Sequence, residues 1–122
     1  MNPGLRNAAV LVVEDEALIR MTAVVLAEDC GFCVHEAADA EQAIAILERC
    51  PEIFIVLTDI QMAGTMNGLE LAAYAHDRWP PLKFIIVSGG IAPSPHDMPV
   101  GSRFFAKPYD TATVGRALCA MA

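Results

Sequence analysis

Basic residues are scarce in this chain of 122 residues, in which 8 Lys and Arg stand against 15 Asp and Glu. The resulting formal charge of -7 repels nucleic acid phosphates, so direct binding to DNA or RNA is not expected. Long apolar runs are also lacking, because no stretch approaches the roughly 20 residues that a membrane-spanning helix needs. The first residues show no signal-peptide pattern. We therefore expect a cytoplasmic protein that does not bind membranes.

Complete metal or redox motifs are lacking as well. Cys30-Gly-Phe-Cys33 has the spacing of a redox or zinc half-site, but no second cysteine pair or histidine cluster in the sequence completes it. Gly31 is typical of a residue that ends a helix, which would leave Cys30 at the negative end of the helix dipole, where a thiolate is disfavoured. We expect Cys30 and Cys33 to be a core or half-buried pair of thiols, and we expect no disulfide among Cys30, Cys33, Cys50 and Cys119.

The apolar residues that are present come in short runs separated by helix-length segments. This pattern is typical of parallel strands buried on both faces of a sheet. It predicts strands near 9–13, 32–36, 53–58, 83–87 and 103–106. Right-handed crossovers then give an α/β fold, a flavodoxin-like doubly wound sheet of five parallel strands in the order 2-1-3-4-5, with helices on both faces. We expect a flexible arm over residues 1–8 and one domain over 9–122.

The segment after the fourth predicted strand departs from this regular alternation. Gly89, Gly90, Pro93, Pro95 and Pro99 all lie within it. Proline removes backbone donors and glycine lowers helix propensity, so a full helix is not expected there. The fourth helix of the fold is therefore predicted to be reduced to a loop with one turn of helix.

Polar side chains follow four of the predicted strands. Glu14 and Asp15 follow the first, Asp59 the third, Ser88 the fourth and Lys107 the fifth. The carboxyl ends of parallel strands meet at one edge, which is where such sheets bind ligands. Three carboxylates, a hydroxyl and an ammonium group together suit a divalent cation and a phosphoryl group. Each residue alone is an ordinary turn or loop residue, and their coincidence at four strand ends favours a site.

The site predicts a division of roles among these residues. Glu14, Asp15 and Asp59 would hold Mg²⁺, because this cation prefers carboxylate and phosphate oxygens. Asp59 can act as the nucleophile that forms an acyl phosphate. Lys107 and Ser88 would then contact the phosphoryl oxygens.

Four segments, taken in order and spacing, resemble the receiver domain of bacterial two-component response regulators. They are Val12-Val-Glu-Asp-Glu16, Leu57-Thr-Asp-Ile-Gln-Met62, Ile86-Val-Ser-Gly89 and Phe105-Ala-Lys-Pro-Tyr109. The resemblance covers nearly the whole chain. It implies a phosphoacceptor that assists its own phosphorylation and dephosphorylation and is not an enzyme. Its partners would be a sensor histidine kinase or phosphotransfer protein and a downstream protein that the sequence does not name.

The resemblance also implies details of the site. The backbone carbonyl of Gln61 would join Glu14, Asp15 and Asp59 around Mg²⁺. Ser88 and Lys107 would grip the phosphoryl group, and Ser88 would move with it.

A switch residue is implied as well, namely the aromatic residue three positions before Lys107. It is Phe104 here, and it would change rotamer on phosphorylation.

Departures from the family pattern carry further expectations. Met62-Ala63 replaces the usual Met-Pro, and the loop to Gly68 is longer than is common, as in some single-domain regulators that resemble partners of HWE-type kinases. No output domain follows, which predicts a single-domain receiver, either a monomer or a weak homodimer.

Two other functions are alternatives to a phosphoacceptor. A phosphorylation-independent interaction module of receiver fold stays open. A haloacid-dehalogenase-like phosphatase is disfavoured, because Gln61 replaces the second Asp of its motif.

The first predicted helix carries two apolar stripes. Ile19, Ala23, Leu26 and Cys30 can face the sheet, whereas Leu18, Met21 and Val25 form a second stripe. Two interpretations stay open for the second stripe. Either the last helix covers it, or it is exposed as a docking surface for the kinase.

Overall fold

The computed structural model describes residues 8–90 and 92–121, so the predicted arm lies outside the described residues except for Ala8. Five strands and four helices alternate within them. They are β1 (Ala9–Val13), α1 (Ala17–Asp29), β2 (Cys33–Ala37), α2 (Ala40–Arg49), β3 (Ile53–Asp59), α3 (Gly68–Arg78), β4 (Lys83–Ser88), β5 (Arg103–Ala106) and α4 (Thr111–Ala120). No described helix is long and apolar enough to cross a membrane.

All five strands form one parallel sheet in the order 2-1-3-4-5, which confirms the predicted fold. Each predicted strand is present, although β2 begins and ends one residue later than expected. The chain passes from one side of β1 to the other between β2 and β3. The switch point therefore lies between the carboxyl ends of β1 and β3.

Alternate side chains of the strands form two cores, one on each face of the sheet. Leu11, Val56 and Ile86 pack with α2 and α3. Val12 and Leu57, whose side chains point the other way, pack with α1 and α4. Each fully buried aliphatic side chain of this kind contributes about 1.5–3 kcal/mol. This explains why the inner strands β1, β3 and β4 consist mainly of buried apolar residues instead of alternating apolar and polar ones.

Three of the helices start at a residue whose side chain caps the first turn. The Asp39 carboxylate accepts a hydrogen bond from the Gln42 amide at 2.9 Å and caps the start of α2. Asp110 similarly accepts from the Ala112 amide at 3.0 Å and begins α4. A full capping box formed by Asn67 and Glu70 at the start of α3 was not foreseen.

The segment between β4 and β5 contains only a single 3₁₀ turn, Pro95–Asp97, within the described residues 92–102. The Ser94 hydroxyl accepts a hydrogen bond from the His96 amide at 3.2 Å and begins this turn. The prediction of a reduced fourth helix is therefore confirmed.

The expectation of no disulfide is wrong, because Cys30 and Cys119 are joined by a disulfide. Their Cα atoms lie 5.6 Å apart although 89 residues separate them in sequence. The cause is the packing of α1 and α4 on the same face, which brings the carboxyl ends of the two helices together. Cys33 is exposed and Cys50 half-buried, so the proposed core pair of Cys30 and Cys33 does not exist.

The second apolar stripe of α1 is exposed to solvent. Leu18, Met21 and Val25 keep 74%, 61% and 49% of their surface exposed. The buried side chains of α1 are instead Ala23 and Leu26, with their neighbour Ala27. The interpretation that the last helix covers the second stripe is therefore wrong, because α4 packs beside α1 without reaching over it.

Candidate functional site

The carboxyl edge of the sheet brings together the residues that the sequence singled out. Asp59 ends β3 and pairs in register with Val87, one residue before Ser88 at the end of β4. Ser88 in turn pairs with Ala106, directly before Lys107. Glu14 and Asp15 follow β1 on the other side of β3. Parallel pairing without large offsets thus places all these groups at one edge.

Three carboxylates form a cluster at the switch point. Glu14, Asp15 and Asp59 each offer an oxygen atom, and these atoms lie within 4.8 Å of one another. Glu14 and Asp59 are buried, whereas Asp15 is exposed and accepts a hydrogen bond from the Ala63 amide at 3.2 Å. A set of oxygen donors that is part buried and part open to solvent fits a hard cation that keeps some of its water.

Lys107 supplies the positive charge inside this cluster. Its Nζ donates to Glu14 Oε1 at 2.8 Å and lies 3.1 Å from Asp59 Oδ2. Its backbone amide also donates to the Ser88 carbonyl at 2.8 Å, which fixes the start of the lysine side chain relative to β4. The ammonium group therefore bridges the ends of β1 and β3 from its place after β5.

Burial and charge act together on these ionisable groups. Burial raises the pKa of Glu14, and the hydrogen bond from Lys107 only partly offsets that effect. Burial alone would lower the pKa of Lys107, but its hydrogen bonds to Glu14 and Asp59 outweigh burial and raise it. The lysine thus stays protonated, and one ammonium group faces more than one carboxylate.

Ser88 and Gln61 lie beside this cluster. The buried Ser88 hydroxyl accepts a hydrogen bond from the Gly90 amide at 3.1 Å, which orients it at the end of β4. The Gln61 side-chain amide lies against Gly90, 3.0 Å from the place a Cβ there would occupy. The role of the Gln61 backbone carbonyl as a metal ligand stays a prediction.

Phe104 lies on β5 in register with Ile86, half-buried at the edge of the core under α2 and α3. Its role as a switch, like that of Ser88, stays a prediction.

Two residues that sequence reasoning missed support the acidic edge. Gly68 lies so close to the end of β3 that a Cβ would overlap the backbone carbonyl oxygen of Asp59, and its amide donates to the Ile60 carbonyl at 2.8 Å. Arg20 Nη1 donates to the Glu14 carbonyl at 2.8 Å, and its Nε donates to Glu36 at 3.2 Å. Gly68 after Asn67 resembles an ordinary helix start, and nothing local distinguishes Arg20 from other surface arginines.

Fold and site together define a class of protein. It is a five-stranded doubly wound α/β domain with an acidic cluster and a lysine at its switch point. The family model of the response regulator receiver domain matches residues 10–99 of the chain. The chain belongs to this family, the receiver domains of two-component systems, as the resemblance implied.

Individual relatives agree with this assignment. The chain is 40% identical over 84 residues, 68% of its length, to the sensor kinase CckA of Brucella abortus (strain 2308), of which it covers 9%. It is 43% identical over 72 residues, 58% of its length, to the cyclic di-GMP phosphodiesterase RocR of Pseudomonas aeruginosa, of which it covers 18%. A CheY-like receiver domain protein from Methanospirillum hungatei JF-1 superposes with a TM-score of 0.81 at 25% identity, covering 93% of this chain and 92% of that one. The chain thus spans less than a fifth of the length of these two curated relatives.

Proposed function

We propose that this receiver domain accepts a phosphoryl group on Asp59 from the phosphohistidine of a sensor histidine kinase or a phosphotransfer protein. One observation carries the proposal. Asp59 Oδ2 lies 3.1 Å from Lys107 Nζ, inside a cluster of three carboxylates at the switch point of the sheet. A carboxylate between an ammonium group and a cation site is placed to form an acyl phosphate.

In the proposed reaction the phosphoryl group passes from the donor nitrogen to an oxygen of Asp59. A carboxylate oxygen of Asp59 attacks the phosphorus atom, and the bond from phosphorus to the donor imidazole breaks. The electron pair of that bond stays with the imidazole nitrogen, which takes up a proton. Lys107 contributes an ammonium group that can turn from Asp59 to a phosphoryl oxygen, and Ser88 contributes a hydroxyl donor.

The charge balance of the cluster supports Mg²⁺ as cofactor. Lys107 brings one positive charge to Glu14, Asp15 and Asp59, and an incoming phosphoryl group adds further negative charge. A bound Mg²⁺ would neutralise charge that develops on the phosphoryl oxygens. The three carboxylates would hold it, with the Gln61 carbonyl as the further ligand expected from the family resemblance.

The proposal makes the chain a phosphoacceptor instead of a turnover enzyme. It assists its own phosphorylation and dephosphorylation, and it signals or buffers phosphate through a downstream protein. Cytoplasmic residence, an HWE-type donor, action without an attached output domain and a monomeric or weakly dimeric state stay predictions.

Labelling with acetyl phosphate and Mg²⁺ tests the acceptor. Asp59→Asn keeps the shape of the side chain but removes the nucleophile, so we expect no label. The matched control is Asp77→Asn, an exposed aspartate on α3 that should label like the wild type. Label on the Asp59→Asn variant at the wild-type rate would refute the assignment. A wild-type chain that takes no label from acetyl phosphate or from any host kinase would favour the interaction-module alternative.

The donor is proposed to dock on the exposed stripe of α1. A groove of about 600 Å³ lies between α1 and α4, and Met21, Val25 and Gly115 line it. Thr22 and Thr111 line both this groove and a second cavity of about 350 Å³ that reaches Lys107. This continuity with the acceptor site favours the helices that carry the phosphohistidine as the occupant.

A charged substitution in the groove tests this docking site. Met21→Asp should leave labelling by acetyl phosphate near the wild-type level and slow transfer from the kinase by about 10-fold or more, because an unpaired charge in an interface costs over 1.4 kcal/mol. Val100→Asp is the control, since Val100 is fully exposed in the loop before β5. Equal losses in both assays would mean that the substitution damaged the acceptor site, and the docking proposal would fail.

A further inference from the structure

A second cluster of metal-ligating side chains lies at the opposite, amino edge of the sheet. His35 is on β2, Cys50 follows α2 and Glu52 precedes β3. The His35 imidazole, the Cys50 thiol and the Glu52 carboxylate each offer one atom, and these atoms lie within 4.8 Å of one another. The sequence does not reveal this cluster, because β2 and the turn before β3 are separated by the whole of α2.

Backbone hydrogen bonds hold the turn that carries two of these residues. The Cys50 amide donates to the Ile46 carbonyl at 2.9 Å, and its own carbonyl accepts from the Ile53 amide at 3.2 Å. The Glu52 carbonyl accepts from the Ala9 amide at 3.2 Å. His35 is fixed by the pairing of β2 with β1. Only side-chain torsions therefore separate the three donor atoms from a shared ion, so little ordering is needed on binding.

The separation of two of the three donor atoms is close to that of two ligands around one ion. His35 Nε2 lies 3.8 Å from Glu52 Oε2, which is too long for a hydrogen bond. Bonds of about 2.0–2.2 Å in a tetrahedral site place a nitrogen and an oxygen ligand about 3.4 Å apart. A shift of about half an ångström between the two side chains would bring them to that separation.

The donor atoms of this cluster favour a different class of ion from the one that the carboxylates at the carboxyl edge favour. Imidazole and thiolate are ligands of borderline-soft ions such as Zn²⁺, whereas Mg²⁺ prefers oxygen ligands alone. We infer that His35, Cys50 and Glu52 form a Zn²⁺ site with a solvent-facing fourth position. His35 and Cys50 are half-buried and Glu52 is exposed, so an ion can enter from solvent. On binding, the Cys50 thiol loses its proton to water and the thiolate bonds to the metal.

This site is independent of the proposed phosphoacceptor, since it shares no residue with the acidic cluster. Zn²⁺ binding to the full chain is measured by competition with a chromophoric zinc chelator. Excess Mg²⁺ keeps Zn²⁺ from the carboxyl edge, and the intact disulfide keeps Cys30 and Cys119 from offering thiolates. One Zn²⁺ per chain is expected.

Variants separate this site from others. Loss of an outer-sphere partner of a metal ligand weakens binding about 10–100-fold, so Cys50→Ser and His35→Gln, which remove ligands themselves, should weaken it by more than about 100-fold. Glu36→Gln is the matched control on β2, because the Glu36 side chain bonds to Arg20 instead. Asp59→Asn is the control for the other edge. Both controls should bind Zn²⁺ as the wild type does.

Co²⁺ gives a readout that depends on the thiolate itself. The wild type and both controls should show a thiolate-to-cobalt absorption band in the near ultraviolet, and Cys50→Ser should lack it. Thermal unfolding in the presence of a strong chelator checks that every variant is folded. A wild type that binds Zn²⁺ no more tightly than Cys50→Ser would overturn the proposal, as would loss of binding in Asp59→Asn.

Discussion

The two edges of the sheet carry ion pairs that look alike but differ in burial. At the carboxyl edge, Lys107 keeps only 18% of its side chain exposed and contacts Glu14 and Asp59, which are buried more deeply. Beyond the amino edge, Arg78 and Glu48 approach within 3.3 Å while about half of each side chain stays in water. The distances are similar, so the difference lies in the surrounding solvent.

This difference shows that charges are removed from water at the carboxyl edge, which carries the proposed site, and not at the Arg78–Glu48 pair. Removing charges from water is unfavourable, and a buried pair recovers that cost only through good geometry. An exposed pair neither loses hydration nor gains much attraction. We therefore expect large effects from changes at the carboxyl edge and small ones from comparable changes elsewhere.

The largest effect is expected from Gly68→Ala. The added Cβ would overlap the Asp59 carbonyl oxygen, so the backbone at the end of β3 must move. We expect a loss of about 3 kcal/mol in the free energy of unfolding, at the upper end for overpacking, together with slower labelling of Asp59. Chemical denaturation and acetyl-phosphate labelling measure the two effects.

Gly115→Ala is the matched control for this change. A Cβ at Gly115 would lie 3.9 Å from Leu26 Cγ, an ordinary contact, and the residue is inside α4. Alanine should therefore stabilise the chain by about 0.5–1 kcal/mol. Similar denaturation midpoints for Gly68→Ala and Gly115→Ala would contradict the close approach described at Asp59.

The next largest effect is expected from Lys107→Met, measured without Mg²⁺. The change leaves Glu14 and Asp59 buried without their ammonium partner, and we expect a loss of about 2–3 kcal/mol at neutral pH, moderated because Glu14 can take up a proton. Lys83→Met is the control, because Lys83 is exposed at the start of β4 and should change stability by less than about 0.5 kcal/mol. Equal losses in the two variants would show that burial does not distinguish the edges.

The stability loss of Lys107→Met should depend on pH, because folding raises the pKa of both Glu14 and Lys107. The folded state raises the pKa of Glu14 above 4.5, so ionising Glu14 costs stability as pH rises through its folded pKa. Without Lys107 that pKa rises further, so the deficit of Lys107→Met should shrink towards pH 4.5. In the wild type the pKa of Lys107 is raised above 10.5, so its stabilisation is complete below pH 10.5 and is lost as pH rises through the folded pKa. Denaturation series at several pH values measure both trends.

Asp15→Ala should have a smaller effect on stability and a strong effect on Mg²⁺ binding. Asp15 is exposed, and its one described hydrogen bond comes from the Ala63 amide, so stability should change by less than about 0.5 kcal/mol. Mg²⁺ binding and Mg²⁺-dependent labelling should both weaken, because one carboxylate ligand is lost. Asp77→Ala serves as the control, and unchanged Mg²⁺ affinity in Asp15→Ala would argue against the proposed ligand set.

The smallest effect is expected from Glu48→Ala. It removes only the exposed pair with Arg78, whose guanidinium also lies 5.2 Å from the centre of the Trp79 ring. The free energy of unfolding should change by less than about 0.5 kcal/mol. A loss comparable to that of Lys107→Met in thermal or chemical unfolding would remove the contrast between exposed and buried pairs.

Most of the fold was predictable because the responsible patterns are local. Strands buried on both faces must be apolar along their whole length, as Val10–Val13 and Ile53–Leu57 are. Helix α2 is preceded by Asp39, whose side chain caps its first turn. The strand order followed from the handedness of crossovers, which is nearly invariant.

The candidate site was predictable for a related reason. Its five side chains lie at the ends of strands or just after them, and a parallel sheet brings strand ends together whatever the details of packing. The prediction could not extend to Gly68 or Arg20. Their importance rests on contacts with Asp59 and Glu14 that depend on how the loop after β3 and the first turn of α1 are oriented.

The sequence by itself thus determined the elements, their order in the sheet and the set of groups at its carboxyl edge, since local periodicity and strand ends suffice for these. Only the tertiary structure decided the disulfide between Cys30 and Cys119, the exposed stripe of α1 and the cluster of His35, Cys50 and Glu52. Each of these depends on how separate elements lie relative to one another. That arrangement is set by how helices pack on the two faces of the sheet, which no local pattern records.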